Sequence, residues 1–197
     1  MKYKLSPANS KIKPHAVRMK PYDPEWLTKA RRITDQLAFT LGDNLVTVEH
    51  IGSTAIPGIW AKPVIDLLPI VRNINAFDSQ QHLIRGLGYQ CWGEFGIVGR
   101  RFCTLSDAHG ERLVHLHFFQ QDAPHIERHL AFRDYMLNHT EIAKAYQVEK
   151  LRAAQLHPGD SMAYNDEKAA WVQKYEKEAL KWYRAKHKKN YIIRNPF

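Results

Sequence analysis

The stretch from Val46 to Val71, VTVEHIGSTAIPGIWAKPVIDLLPIV, constrains this chain more than any other. Val46, Val48 and Ile51 form a short apolar run that reads as a strand. Gly52-Ser53-Thr54 breaks it, and a second apolar run, Val64 to Val71, carries one carboxylate, Asp66. A glycine directly after a strand lets the backbone approach a ligand closely. A helical turn opening at Ser53 presents free N–H groups and a positive end, which together make an anion site. Ser53 and Thr54 add hydroxyl donors, and Lys62 adds a cation on a flexible stem. Asp66 falls mid-strand across from the loop, where a metal bound to that phosphate would lie. A buried, unpaired carboxylate is costly, so Asp66 is expected to have a partner or a metal. The plain alternative is that Gly-Ser-Thr is common turn composition and Pro57-Gly58 ordinary turn punctuation.

The segment HIGSTAIPGIWAKPVID, from His50 to Asp66, resembles the signature of the GrpB family, a group with the nucleotidyltransferase fold. Further pieces resemble the same family: PYDPEW (Pro21 to Trp26), HLHFF (His115 to Phe119), FRDYMLNH (Phe132 to His139), and two Y-x-x-x-K units, Tyr146 with Lys150 and Tyr164 with Lys168. The likeness runs from about Arg18 to Trp182. It implies an α/β (α+β) fold, a nucleotidyltransferase-like mixed β-sheet flanked by helices, with a helical C-terminal part. It also implies that the Gly-Ser turn opens a short helix holding a triphosphate, and that carboxylates on later strands bind two divalent metals, Mg²⁺ or Mn²⁺. GrpB-like domains are fused to dephospho-CoA kinase in some family members, which associates the family with coenzyme A precursors. This sequence departs from that pattern at two places. Leu68 stands where the second acid of the working strand is expected, and the strand Leu113 to Phe119 offers His115 and His117 instead of a third acid. Two metals need several carboxylates, whereas one Mg²⁺ is held by one or two carboxylates plus substrate phosphates.

At 197 residues the chain suits one domain, read as 21–182 with a helical part from about residue 124. No apolar run approaches 18 residues, so no membrane-spanning helix is predicted. The first 20 residues lack the apolar core of a secretory signal, and a cytoplasmic location is expected. Cys91 and Cys103 have no framework spacing and read as free, buried thiols in a reducing compartment. The net charge of +9 is concentrated at the ends. Residues 1–20 carry six basic side chains and no acids, and so do residues 181–197. An N-terminal arm (1–20) and a C-terminal tail (183–197) of this kind contact nucleic acid or aid solubility.

Along the chain, Ala16 to Met19 reads as a short strand, and Asp23-Pro24-Glu25 as the start of a helix that ends at Gly42. Trp60, inside the loop, either packs over it or stacks on a base. A helix is predicted from Asn75 to Leu87, then strands Tyr89 to Trp92, Ile97 to Leu105 and Leu113 to Phe119, the last two as a hairpin. Alternation puts His115, His117 and Phe119 on one face of the last strand. An H-x-H pair binds a transition metal, contacts phosphate or neighbours Asp66. The same alternation sends only one of Arg100 and Arg101 to that face, as a phosphate clamp; the other reading is a rim salt bridge. From Pro124 the pattern is helical. Stripes are predicted at Ile126, Leu130, Arg133 and Leu137, then at Ala145, Val148 and Arg152. A last helix, capped by Asn165, runs to about Lys186 with Trp171, Tyr175, Ala179 and Trp182 inward. Lys150 and Lys168 point into the cleft, or pack their stems over the tyrosines.

Three functions follow as expectations. One is nucleotidyl transfer to an acceptor, with Asp66 and His117 catalytic, Gly52, Ser53, Thr54, Lys62, Arg100, Arg101, Lys150 and Lys168 on the phosphates, and the metal at Asp66, His115 and His117. Another is a non-catalytic module that binds a nucleotide, a coenzyme A precursor or another phosphorylated small molecule. The third is a scaffold whose basic termini bind nucleic acid.

Overall fold

The computed structural model describes residues 14–194, with side chains through residue 188. The helix α1 (Glu25–Leu41) starts where the Asp23 carboxylate accepts the Glu25 N–H at 2.9 Å, and it stops at Gly42, whose φ is 54°. Strands β1 (Leu45–Ile51) and β2 (Ile65–Val71) flank the Gly52 turn as an antiparallel pair. The helix α2 (Ile74–Gly86) is capped by Asn73, whose side chain accepts from Asn75 and Ala76. Then come β3 (Gln90–Cys91), β4 (Arg101–Ser106) and β5 (Arg112–Gln120). The sheet order is β1-β2-β5-β4-β3, with β2 and β5 parallel and the other neighbours antiparallel. Pairing β5 with β2 makes the sheet mixed and places two distant segments side by side.

The two faces of the sheet have different tasks. Ile65, Leu67, Val71, Val114, Leu116 and Phe118 point to one face and pack with Trp26, Ala30 and Leu37 of α1 and Phe77 and Ile84 of α2. This is the main core, and Phe77 stacks on Phe118 with ring centroids 4.0 Å apart. On the other face Asp66, His115 and His117 share one end. Ile51, Leu68, Ile70 and Phe119 form an apolar cluster joined by Ile126 and Leu130. The helices α3 (Pro124–Asn138), α4 (Thr140–Leu156) and α6 (Ala169–Arg194) build a second core with Ile56 and Ile59 of the loop, and Tyr164 of α5 (Ser161–Glu167) joins Val17, Ala153 and Ala154 in a smaller cluster.

Several expectations change. No strand forms at 16–19; there is one bridge, Lys20 with Ala61, while Val17 N–H bonds the Pro158 carbonyl. β4 begins at Arg101, not Ile97, because Gly93, Phe95, Gly96 and Gly99 all adopt positive φ and turn 93–99 into a loop. Asn165 does not cap the last helix. It lies inside α5, and Asp160 caps α5 by accepting from Met162 and Ala163 at 2.8 and 3.0 Å. On α4 the buried face is Ala143, Tyr146, Lys150 and Ala153, while Val148 of the expected stripe is 66% exposed. Leu137 of the α3 stripe is likewise exposed, and Ala131, Tyr135 and Met136 are buried instead. The cysteines are not free thiols: Cys91 and Cys103 are joined in a disulfide, because the β3–β4 register sets them opposite each other. No helix among the described residues is long and apolar enough to cross a membrane.

Candidate functional site

Strand register assembles the centre of the site. Asp66 and His115 are direct partners across the parallel β2–β5 pair, and His117 follows two residues on, on the same face. His115 Nδ1 lies 2.9 Å from Asp66 Oδ1, and His117 Nε2 lies 3.7 Å from the same oxygen. Burial by itself raises the Asp66 pKa; hydrogen bonds from the two histidines outweigh it and hold the carboxyl well below the usual range. Burial pushes the His117 pKa down to about 4, so this ring is neutral at pH 7.

Gly52 sits directly over that carboxylate. Its φ is 69°, and a Cβ at this position would lie 2.5 Å from Asp66 Oδ2. Only glycine meets both conditions. The expected helical turn is present as a single 3₁₀ turn, Ser53–Ala55. Ser53 lines a cavity of about 180 Å³ together with Gly52, Lys62, Asp66, His115, Tyr164 and Lys168. Tyr146 borders the same cavity, and burial pushes its pKa up to about 12. Thr54 also borders this cavity, but its hydroxyl is engaged by the fold: it lies 2.9 Å from His50 Nε2 and donates to the Val64 carbonyl at 3.4 Å. Thr54 holds the loop in shape and is not a free donor for a phosphate.

Two lysines converge here. Lys62 Nζ lies 4.8 Å, and Lys168 Nζ 5.1 Å, from the centre of the Tyr164 ring. Burial lowers the Lys62 pKa to about 8, and the nearby Lys168 charge adds to this. Lys168 shifts the same way through burial. Neither lysine makes an ion pair within 4 Å with any acid among the described residues. Lys150, by contrast, turns away from the cleft. It is 1% exposed, donates to the Trp60 carbonyl at 2.5 Å and lies over the Tyr146 ring. Gln147 accepts the Trp60 N–H at 2.7 Å, so α4 clamps both backbone groups of Trp60. These bonds fix the backbone of Trp60, while the residue itself is 39% exposed.

The arginines divide between the two faces, although Arg100 lies just before β4. Arg100 joins the histidine face, with Nη1 3.3 Å from His117 Nδ1. Arg101 goes to the opposite face and pairs bidentately with Asp78 of α2 at 2.7 and 2.6 Å, so it is a structural ion pair and not a phosphate clamp. Leu68, where the second acid was expected, is fully buried among apolar neighbours.

A larger cavity of about 770 Å³ shares Lys62, Val64, His115, Asn165 and Lys168 with the small one. Phe95, Ile97 and Phe102 line it, with Arg100, Arg112 and Arg128. Among the cations of the expected N-terminal arm, Arg18 and Lys20 line this cavity, and Arg18 pairs with Glu111. Lys2, Lys4, Lys11 and Lys13 lie outside the described residues. Sequence reasoning missed Tyr164 as the ring that both lysines approach, although the Y-x-x-x-K spacing marked its pairing with Lys168.

Comparison with known proteins agrees with this architecture. The family model for GrpB protein matches residues 16–178. The chain is 36% identical over 169 residues to UPF0157 protein YqkA of Bacillus subtilis, a match covering 86% of this chain and 49% of YqkA. It is 34% identical over 149 residues to UPF0157 protein PA4798 of Pseudomonas aeruginosa, covering 73% of this chain and 60% of that protein. The chain therefore spans about half to three-fifths of the length of these two relatives. A protein named dephospho-CoA kinase from Mycolicibacterium paratuberculosis is 27% identical over 191 residues, 84% of this chain and 46% of that protein. The crystal structure of conserved protein GrpB from Enterococcus faecalis superposes with a TM-score of 0.79 at 39% identity, covering 84% of this chain and 99% of that one. By the family match and these identities, the chain belongs to the GrpB family.

Proposed function

We propose that this domain binds a nucleotide or a related phosphate ester, with the phosphate between the Gly52–Ser53 turn and the two lysines Lys62 and Lys168. One observation carries the reading: two half-buried lysine ammonium groups lie 4.8 and 5.1 Å from the centre of the Tyr164 ring, in the cavity of the Gly52–Ser53 turn, with no acid within 4 Å among the described residues. Two like charges in a partly desolvated cleft repel each other, and an anion between them reverses that cost. The adjoining 770 Å³ cavity gives room for the rest of a nucleotide or a coenzyme A precursor. The dephospho-CoA kinase relatives agree with that class of ligand by association only.

The resemblance to nucleotidyltransferases calls for Mg²⁺ or Mn²⁺. Asp66, His115 and His117 are the side chains that would hold a divalent ion, and such an ion supplies charge neutralisation on a phosphate. One carboxylate with two imidazoles suits Mn²⁺ better than Mg²⁺, which prefers an all-oxygen shell. A second reading, nucleotidyl transfer, is favoured by the orientation of His115. Asp66 fixes this ring, which borders both cavities. His115 would be the nearer base for an acceptor hydroxyl only where it does not ligate the ion, because a metal-bound imidazole has no lone pair left for the proton.

The test is thermal stability against nucleoside phosphates and coenzyme A precursors, with Lys62→Met and Lys168→Met beside the native chain. A ligand at a hundred times its dissociation constant adds about 2.7 kcal/mol. The expected result is a shift lost in both variants, with affinity falling as pH rises through about 8 and Lys62 loses its proton. Absence of any shift across the panel would overturn the reading. Release of pyrophosphate over many turnovers would select transfer over binding.

A further inference from the structure

We propose that Asp66, His115 and His117 form a site for a first-row transition ion, and that Arg100 controls its occupancy by competing for His117. The inference concerns the same cleft as the phosphate reading but stands whether or not a phosphate is the ligand.

The site is built by the sheet. One ligand atom from each of the three residues lies within 4.8 Å of the others. Two come from direct strand partners and the third from two residues along, so their spacing is set by backbone hydrogen bonds rather than by a loop. Two imidazoles and one carboxylate on one face, with open positions toward a cavity, match ions of the manganese-to-zinc series. A magnesium ion asks for oxygen ligands, and Leu68 removes the neighbouring carboxylate that would supply them.

Arg100 stands against this ion. Arginine has five donors and no acceptor. Its Nη1 approaches His117 Nδ1 at 3.3 Å, so Nδ1 accepts with its lone pair. The proton of the neutral ring is then on Nε2, the nitrogen that faces Asp66. A protonated Nε2 cannot ligate. Ligation moves the proton to Nδ1, where it meets an Arg100 N–H head-on, and Arg100 must withdraw. In metal sites the far nitrogen of a ligating histidine normally donates to a carbonyl or carboxylate. Here a cation occupies that place.

Withdrawal of Arg100 reaches further. The same guanidinium donates to the Glu94 carbonyl at 3.1 Å and the Phe95 carbonyl at 2.6 Å, and lies 4.8 Å over the Phe102 ring. Glu94 in turn accepts the Gly99 N–H at 2.6 Å. Arg100 thus ties the 93–99 loop, a wall of the larger cavity, to His117. Metal occupancy and the shape of that wall depend on one side chain.

The experiment is a titration with Co²⁺, followed by its visible ligand-field absorption, with Zn²⁺, Mn²⁺ and Mg²⁺ as competitors. Native chain, Asp66→Asn, Arg100→Met and Arg100→Gln are compared. Methionine keeps a long stem over Phe102, and glutamine offers a carbonyl to the His117 N–H. The expected result is Co²⁺ and Zn²⁺ binding to the native chain, at least a hundredfold weaker competition by Mg²⁺, loss of binding in Asp66→Asn, and roughly tenfold tighter binding in both Arg100 variants. If the Arg100 variants do not fold, imidazole ¹⁵N shifts of the native chain decide the matter: Zn²⁺ should move the His117 proton from Nε2 to Nδ1. No Co²⁺ spectrum in native and variant chains, or Mg²⁺ competing on equal terms, would overturn the metal site. An unchanged affinity in the Arg100 variants, or an unmoved His117 proton on Zn²⁺ binding, would overturn the competition.

Discussion

Gly52 is the residue with the narrowest choice of side chain. A methyl group there meets the Asp66 carboxylate and a backbone of positive φ at once. Gly52→Ala is therefore expected to cost about 1–3 kcal/mol of stability and to displace Asp66 from His115. A denaturant midpoint equal to that of the native chain would refute this. The residues of the small cavity were largely legible from sequence because each carries its own chemistry. A glycine after a strand, a lone carboxylate in an apolar run and an H-x-H on one face all announce themselves. Lys150 and Thr54 were not legible as structural residues. Their partners are the backbone carbonyls of Trp60 and Val64, which no side-chain pattern encodes. For Arg100 and Arg101, alternation foretold that the pair would split; only the position of Asp78 on α2 tells which one it pairs with.

Among the elements, α1, β1, β2, α2 and β5 followed from periodicity and caps, with ends within a residue or two of those expected. The 93–99 loop did not, since apolar residues hid a run of positive φ angles that a strand excludes. The C-terminal helices were found but their faces were misjudged. α4 packs a lysine and a tyrosine inward and leaves Val148 out, an inversion that hydrophobic pattern cannot show. α5 is the short helix that presents Tyr164 and precedes Lys168, and its start rests on Asp160. Asp160→Ala is expected to cost about 1 kcal/mol and to weaken the proposed phosphate binding severalfold, because a frayed α5 no longer holds Tyr164 and Lys168 in place. Amide hydrogen exchange of Met162 and Ala163, whose N–H groups Asp160 now holds, would read the fraying directly. Unchanged protection there would show that the cap is dispensable.

Across the whole molecule, the mixed α/β sheet with a helical C-terminal part was correctly expected, whereas the cysteines were not. Free thiols seemed natural for two cysteines without a motif, and only the pairing of β3 with β4 sets Cys91 against Cys103. The disulfide lies at the far edge of the sheet from β1. Cys103 is also the strand partner of Leu116, which lies between His115 and His117, so reduction with a mild thiol is expected to lower both the melting temperature and the Co²⁺ affinity, and an unchanged affinity would show the two to be independent. The parallel pairing of β2 with β5 has one more consequence, and it concerns time. Asp66 and His115 are 49 residues apart in sequence, and a parallel pair closes only after the chain between them has made its crossover. Contacts of that separation form late, after local helices and hairpins. The cleft is therefore among the last parts of the molecule to come together. A nascent or half-folded chain would have most of its secondary structure before Asp66 meets His115, so any binding at this cleft would report that folding is complete.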